Sequence, residues 1–314
     1  MKQKHLLSLR EYSRAEIEEI FELARKLKAR PADYADALKG KSLAMIFQKP
    51  STRTRVSFEV GMFQLGGQAL FLGADSIQIQ RGETVADTAR VLSRYVDGIM
   101  ARVFAHQDVV DLARYGTVPV INGLSDQLHP CQALADFFTL LERRGKLDGA
   151  RFAYVGDGNN VCHALMLGAA KLGVSMAMAC PAGYQPNPLI LKTAIRDAQK
   201  EGTPPPVVTT DPMEAVKGAD VVYTDVWTSM GQEAESAARV KAFSGFMVTP
   251  QMMAAARKDA VFMHCLPAHR GEEVSAEVVD APSSVIFDQA ENRLHTAVAI
   301  LFATLEGKLQ GREP

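Results

Sequence analysis

Short apolar runs of the kind that form buried strands alternate with helical stretches along almost the whole chain, and this alternation limits the possible folds most strongly. The runs occupy residues 42–47, 69–72, 98–104, 117–121, 151–155, 174–179, 206–210, 220–224, 261–265 and 284–287. Between them, apolar residues recur at helical spacing, as at Val56, Val60 and Phe63. Strands separated by helices form parallel sheets with helices on both faces.

The chain has 314 residues, enough for two domains of ordinary size. A charged, glycine-containing connection at 143–151 is a plausible boundary between them. The last helix, near 290–309, carries its own apolar stripe. The sequence therefore predicts an α/β fold with two domains, each a parallel sheet flanked by helices, and a C-terminal helix that packs back on the N-terminal domain.

Charge and composition exclude several classes of function. The formal net charge is −1, which removes the usual electrostatic case for a nucleic-acid partner. No apolar run approaches the roughly 18–20 residues that a membrane span needs. The first 30 residues mix acids with bases and contain no compact apolar core, unlike a secretory signal or a transit peptide. The four cysteines lack paired spacing, so we expect reduced thiols in a cytoplasmic protein.

Residues 49–61, KPSTRTRVSFEVG, place hydroxyls and guanidiniums where a strand gives way to a helix. Ser51 or Thr52 can cap that helix, whose N-terminus offers unpaired N–H groups and a partial positive charge. Arg53 and Arg55 add donors that match phosphate geometry. A capped helix with solvated arginines is the alternative, but the whole cluster favours phosphate. The glycine framework of a Walker A loop is absent.

Two further stretches of the first half place polar residues near strand ends. Arg102 ends an apolar strand, where a charge is costly unless it is paired or faces a ligand. His129 precedes a helix that has Gln132 in its first turn. From this motif alone, His129 is equally well explained as a donor to a carbonyl oxygen or as a helix cap. In the second half of the chain, Arg293 lies at the start of the last helix, and its neighbours in sequence predict an arginine on the surface.

The stretch YVGDGNNVCHA, residues 154–164, has two glycines in the arrangement of a dinucleotide-binding turn. Gly156 and Gly158 follow a strand, but Val161 occupies the third glycine position. The following strand also ends without the acid that binds ribose, so the pattern argues against NAD. Asn159 and Asn160 remain as polar groups at a strand end, suited to a carboxylate or an amide.

Two loops later in the chain also follow predicted strands. Asp225 could hold an ammonium group, and Ser229 could share it. His264, Cys265 and His269 contain metal-ligand types, but their spacing matches no zinc pattern. A cysteine at the end of a buried strand is most often inert packing.

Taken together, these stretches resemble the aspartate/ornithine carbamoyltransferase family over nearly the whole chain. STRTR and HP-x-Q are shared across the family, whereas D-x-x-x-SMG together with HCLP resembles the ornithine-specific branch. The matching segments, in family order and spacing, are STRTR (51–55), ARVF (101–104), HPCQ (129–132), GDGNN (156–160), DVWTSMG (225–231) and HCLP (264–267).

The resemblance implies an enzyme that transfers the carbamoyl group of carbamoyl phosphate to ornithine, with no cofactor and no metal. Residues 1–146, completed by the last helix at about 290–314, would bind carbamoyl phosphate, and residues 147–289 would bind ornithine. The implied carbamoyl-phosphate ligands are Ser51, Thr52, Arg53, Thr54, Gln78, Arg102, His129, Gln132, Cys265, Leu266 and Arg293. The implied catalytic residues are Arg102, His129, Cys265 and Arg293. The implied ornithine ligands are Asn160, Asp225, Ser229 and Met230.

The family resemblance also implies a homotrimer, or a multiple of trimers, whose active sites borrow a residue from a neighbour. Gln78 is the candidate for that contact, although its segment departs from the family pattern. Putrescine, N-acetylornithine and aspartate are alternative acceptors, which the intact DVWTSMG loop disfavours. A non-catalytic anion-binding protein on the same fold is the remaining alternative, although the chain keeps both halves of the implied site.

Overall fold

The structure is a computed structural model that describes residues 3–74, 77 and 82–306. The chain forms two compact units, one within residues 1–135 and 291–314 and the other within residues 136–290. We call them unit 1 and unit 2.

Unit 1 is built on a four-stranded parallel sheet. Its strands are β1 (Ser42–Phe47), β2 (Gln68–Gly73), β3 (Gly98–Arg102) and β4 (Val120–Leu124), in the spatial order β2-β1-β3-β4. Its helices are α1 (Arg14–Ala29), α2 (Thr52–Gln64), α3 (Val85–Leu92), α4 (His106–Tyr115) and the start of α5 (Pro130–Arg144). The central strand β1 and its neighbour β3 are almost wholly buried, whereas the edge strand β2 is not.

Unit 2 has a five-stranded parallel sheet. Its strands are β5 (Arg151–Val155), β6 (Ser175–Ala179), β7 (Val207–Thr209), β8 (Val221–Thr224) and β9 (Val261–His264), in the spatial order β7-β6-β5-β8-β9. The helices after α5 are α6 (Asn160–Lys171), α7 (Pro188–Glu201), α8 (Pro212–Val216), α9 (Ser236–Ala242), α10 (Pro250–Ala255) and α11 (Ala276–Val279). The last helix, α12 (Ile286–Leu305), begins in unit 2, but from Glu291 onward it belongs to unit 1.

Local sequence signals account for several helix boundaries. Ser13 and Glu16 form both hydrogen bonds of a capping box at the start of α1. Asn187 caps α7 before Pro188 at its first position, and the helix ends at Gly202 with φ of +70°. These signals lie within a few residues of the boundary, so they can be recognised without knowledge of the tertiary structure.

The last helix packs on unit 1, which confirms the predicted fold class. A Cβ added to Gly61 of α2 would lie 3.0 Å from a methyl group of Leu301. At Gly98, which opens β3, an added Cβ would lie 2.6 Å from Leu305. These two glycines let α12 approach the helix and the strand closely. No helix in the described part of the chain is long and apolar enough to span a membrane.

One prediction from periodicity is wrong. Residues 284–287 do not form a strand, because α12 already begins at Ile286 and Ser284 makes only a single bridge to Phe262. The stripe on α2 is not its buried face, since Val56 is 49% and Phe63 is 81% exposed. The face that α2 buries is formed by Thr54, Ser57, Phe58, Gly61 and Met62.

Candidate active site

In unit 1, α2 begins at the carboxyl edge of the sheet, directly after β1. The Ser51 hydroxyl caps the helix by accepting the Thr54 N–H at 3.3 Å. Other N–H groups of the first turn have no partner within the helix, and together they give its start a partial positive charge. Phe47 of β1 pairs with Arg102 of β3, and Arg102 is buried at this edge. A helix N-terminus and a buried guanidinium therefore lie at the same edge of the sheet.

Arg293 connects three segments that are far apart in the sequence. Its guanidinium donates to the Gln132 side-chain oxygen, and its Nη2 lies 3.2 Å from the Thr54 hydroxyl. All three side chains are buried. The surface position that the sequence context of Arg293 predicts is therefore wrong, because packing of α12 on unit 1 brings the residue inside.

His129 lies among positive charges. Burial, followed by the charges of Arg293, Arg102 and Arg53, holds the pKa of its imidazole well below the usual 6.5. The ring is therefore neutral at pH 7 and can donate one N–H to an oxygen. Within the described residues its buried Nδ1 makes no hydrogen bond. The simple helix-cap interpretation therefore explains His129 less well than a ligand-facing donor does.

Three guanidiniums affect the same imidazole, so positive charge converges on one point of unit 1. Such a cluster, placed beside a helix N-terminus, favours a small and strongly anionic ligand. Arg55 is not part of it, although the motif predicts it as a second phosphate donor. Its guanidinium pairs with Glu59 at 3.0 Å and stacks on the Phe71 ring at 3.8 Å. Thr52 is exposed in the first turn of α2.

In unit 2, the carboxylate of Asp225 is the centre of a second polar cluster. Its Oδ1 accepts the Val226 N–H at 2.8 Å and the Cys265 thiol at 2.9 Å. Its Oδ2 accepts the Asn159 amide at 2.7 Å, and Asn159 in turn caps α6. Asp225 follows β8 and is 6% exposed. A buried carboxylate held in this way is suited to binding an ammonium group.

Cys265 is a thiol rather than a thiolate. Burial, followed by the charge of Asp225, raises the pKa of its Sγ well above the usual 9.0. Although the residue as a whole is partly exposed, its Sγ donates inward to the Asp225 carboxylate. A protonated sulfur is a poor nucleophile, so the arrangement favours a hydrogen-bonding role over covalent catalysis.

The remaining predicted ligands are not joined to either cluster by the hydrogen bonds described above. Ser229 is partly exposed and Met230 is 46% exposed, in a turn where the Ser229 N–H donates to Gln232 at 3.2 Å. Asn160 is the half-buried first residue of α6. Leu266, partly exposed after Cys265, has a positive φ of +60°. Gln78 lies outside the described residues. The substrate roles of all these residues stay predictions.

Two clusters in the described part of the chain could hold a metal ion, because their ligand atoms lie within 4.8 Å of one another. They are Asp225 with His264 and Cys265, and His269 with Glu272 and Glu273. In the first, hydrogen bonds engage both nitrogens of His264 and the thiol of Cys265. That donor set fits hydrogen bonding better than metal coordination, since the thiol keeps its proton.

The second glycine of the dinucleotide-like turn has a different explanation. A Cβ on Gly158 would lie 2.3 Å from the backbone nitrogen of Pro186, so only glycine fits there. The Gly158 N–H also donates to the Tyr184 carbonyl at 2.8 Å. The second glycine is therefore required by packing of the chain against itself.

A buried ion pair was missed by the sequence interpretation. Arg239 donates to Asp157 at 2.9 Å and to the Trp227 carbonyl at 3.0 Å. It thereby anchors the loop that begins at Asp225. Arg239 lies in no recognisable motif, and nothing in its neighbouring sequence indicates that it pairs with a residue 82 positions earlier.

Comparisons with known proteins agree with this geometry. Residues 4–142 match the family described as aspartate/ornithine carbamoyltransferase, carbamoyl-P binding domain. Residues 148–304 match aspartate/ornithine carbamoyltransferase, Asp/Orn binding domain. The chain thus contains both substrate-binding domains of that family.

Individual relatives match along almost their full lengths. Ornithine carbamoyltransferase from Thermococcus kodakarensis is 55% identical over 306 residues, 97% of each chain. The protein of that name from Symbiobacterium thermophilum is 58% identical over 303 residues, 96% of this chain and 97% of its own. The structure of ornithine carbamoyltransferase from Pyrococcus furiosus superposes with a TM-score of 0.93 at 56% identity, covering 97% of each chain. The chain therefore belongs to the aspartate/ornithine carbamoyltransferase family.

Proposed function

We propose that the chain transfers the carbamoyl group of carbamoyl phosphate to the δ-amine of L-ornithine, giving L-citrulline and phosphate. The observation that carries this proposal is in unit 1, where the charges of Arg53, Arg102 and Arg293 all act on the buried, neutral imidazole of His129. Such a cluster stabilises a small dianion. The acceptor is identified by relatives of 55% and 58% identity that are ornithine carbamoyltransferases.

The residues of unit 1 bind the donor substrate and stabilise its reaction. Ser51, Thr52, Arg53 and Thr54 hold the phosphate at the start of α2. His129 and Arg102 donate to the carbamoyl oxygen, where negative charge builds as the amine attacks and phosphate leaves. Fixed donors at that oxygen act as an oxyanion hole, and the loss of one costs roughly 3 kcal/mol of barrier. Gln132 and Arg293 hold the other side of the carbamoyl group.

The residues of unit 2 bind the acceptor. Asp225, with Asn160, Ser229 and Met230, binds the amino-acid end of ornithine, whose α-ammonium complements the carboxylate. Cys265 and Leu266 lie near the reacting amine in this proposal. The δ-amine must lose its proton before it attacks, because only the neutral amine is a nucleophile.

One assay tests the choice of acceptor. The purified protein is incubated with carbamoyl phosphate and, separately, with ornithine, N-acetylornithine, putrescine or aspartate, and both phosphate and the carbamoylated product are measured. We expect citrulline from ornithine and at least hundredfold less product from the other amines. A preference for another amine would show that this amine, and not ornithine, is the acceptor. Binding of carbamoyl phosphate without turnover on any amine would indicate a non-catalytic protein.

Our proposal includes assembly as a homotrimer with shared active sites. In unit 1, α2 and the edge strand β2 leave large apolar side chains exposed, and such surfaces mark sites of association. These side chains are Val56, Phe63, Leu70 and Phe71. Light scattering should give a mass of three times 34.2 kDa or a multiple of it. A monomer at micromolar concentration would refute the assembly.

The reaction requires no cofactor, since phosphate is a good leaving group and the donors are side chains. Relatives from Pyrococcus furiosus and Campylobacter jejuni are named anabolic ornithine carbamoyltransferases. We therefore place the reaction in the synthetic direction, toward arginine. The cytoplasmic location stays a prediction.

A further inference from the structure

His264 and Glu273, which have no role in the proposed reaction, form a buried pair next to Cys265 and Leu266. His264 ends β9, and both side chains are 0% exposed. His264 Nε2 lies 3.0 Å from Glu273 Oε1, which also accepts the His269 N–H at 2.6 Å. Burying a carboxyl group and an imidazole is costly, and the two donors on Glu273 Oε1 offset part of that cost and fix the orientation of the pair. The buried Oε2 of Glu273 makes no hydrogen bond within the described residues.

The hydrogen bonds assign one tautomer to His264. The Leu266 N–H lies 2.9 Å from Nδ1 of the ring. A backbone N–H can only donate, so Nδ1 must be the unprotonated nitrogen. The proton is then on Nε2, which donates to Glu273. The ring is neutral and each of its nitrogens has one partner.

The amide that bonds Nδ1 belongs to a residue in an unfavourable backbone conformation. Leu266 has φ of +60°, and among the described residues no other non-glycine has a positive φ. This region is unfavourable for a residue with a Cβ, which approaches the following carbonyl oxygen too closely there. The bond to Nδ1 offsets part of that cost, because without it the Leu266 N–H would lose its acceptor.

We infer that His264 is a positioning residue for the proposed carbamoyl transfer, on which this inference rests. Glu273 orients the imidazole, the imidazole holds the Leu266 amide, and the Leu266 backbone keeps Cys265 and Leu266 in the conformation that the reaction uses. His264 neither contacts the substrates nor exchanges a proton with them.

Two substitutions of His264 each remove one of the two hydrogen bonds of the ring and keep the other. In His264→Asn, the side-chain oxygen occupies the place of Nδ1 and accepts the Leu266 N–H, while the bond to Glu273 is lost. In His264→Gln, the side-chain NH₂ occupies the place of Nε2 and donates to Glu273, while the acceptor for Leu266 is lost. The His264 backbone keeps its bond to the Gln289 side chain in both variants. His295→Gln is the matched control, since it removes a His–Glu pair of 3.1 Å on α12 whose histidine is partly exposed and lies outside the proposed site.

For each variant we would measure kcat, the KM for each substrate, the inhibition constant of inorganic phosphate and the Tm. His264→Gln should lower kcat on the order of 10²-fold, because a misplacement near 1 Å has that effect. His264→Asn should stay within about tenfold of the parent, and the control should be unchanged. The inhibition constant of inorganic phosphate should be unchanged in every variant, because phosphate is held in unit 1. A merely structural role predicts that the losses in kcat follow the losses in Tm.

Equal losses of kcat in the two variants, or a smaller loss in His264→Gln, would overturn the inference. ¹⁵N-histidine NMR of the unliganded parent at neutral pH is a second measurement that needs no substrate. It should show the Nε2–H tautomer for His264, and a proton on Nδ1 would also overturn the inference. Failure of the proposed function is distinct, because it would appear as a parent enzyme that carbamoylates none of the four amines while the NMR result stands.

Discussion

Replacement of His129 by Asn tests the electrostatic description of the site most directly. The imidazole is buried and neutral, and it donates to the carbamoyl oxygen in the proposed reaction. The shorter Asn side chain cannot place a donor at the same point. Removing one donor of an oxyanion hole lowers kcat about 10²–10³-fold, so we expect that loss with little change in the KM for ornithine.

The same substitution should change how stability depends on pH. The folded-state pKa of His129 is depressed, so below about pH 6.5 the unfolded chain binds a proton that the folded chain does not. This difference destabilises the folded protein as the pH falls. Between pH 7 and 5.5 one such group accounts for about 1 kcal/mol of lost unfolding free energy. The Asn variant should therefore lose roughly that much less than the parent.

Urea unfolding of both proteins at the two pH values measures this difference. His106→Asn is a useful comparison, because burial also lowers the pKa of His106 and the residue lies outside the proposed site. It should reduce the acid sensitivity while leaving kcat within twofold of the parent. Parent-like kcat in His129→Asn, or equal acid sensitivity in parent and variant, would show that His129 is not a neutral donor at the site.

Three further predictions concern assembly, the thiol and the amine. Phe63→Ser removes an exposed phenyl group that would contribute about 1.5–3 kcal/mol if it were buried between subunits. It should shift the mass toward the monomer in light scattering, while Phe287→Ser, at a similarly exposed ring, should not. Cys265→Ser keeps a donor to Asp225, so its kcat should stay within about tenfold of the parent, whereas Cys265→Ala should lose more of its kcat. A complete loss of activity in Cys265→Ser would instead indicate a nucleophilic sulfur. Because an alkyl ammonium has a pKa near 10, the rate should rise from about pH 6 to 9, and a flat profile would contradict attack by the free amine.

The parts of the fold and site that the sequence predicts are those with local signals. The β1 strand, the helix that follows it and the cap at Ser51 are all encoded within 42–64, because an apolar run, a proline and a cluster of hydroxyls are adjacent there. Arg102 is recognisable for the same reason, since a charge at the end of a buried strand is unusual. Parallel strands then bring such strand ends to one edge without any further information.

Features that depend on what packs against them are not predictable in this way. Periodicity finds apolar residues on α2 whatever buries them, and Val56 and Phe63, which predict the helix, are exposed in the single chain. The burial of Arg293 depends on where α12 packs, which its neighbours in sequence do not encode. Glu273 similarly looks like one of two adjacent surface acids, and only the structure shows that it holds His264.

The net charge of −1 conceals the property that best explains the function. In unit 1, Arg53, Arg102 and Arg293 converge on one buried imidazole, whereas in unit 2 the buried carboxylate of Asp225 collects three donors. A dianionic carbamoyl donor therefore matches the first cluster, and an amino acid with a free α-ammonium matches the second. N-acetylation removes that α-ammonium. The charge of the second cluster thus favours ornithine over N-acetylornithine by the end of the molecule that does not react.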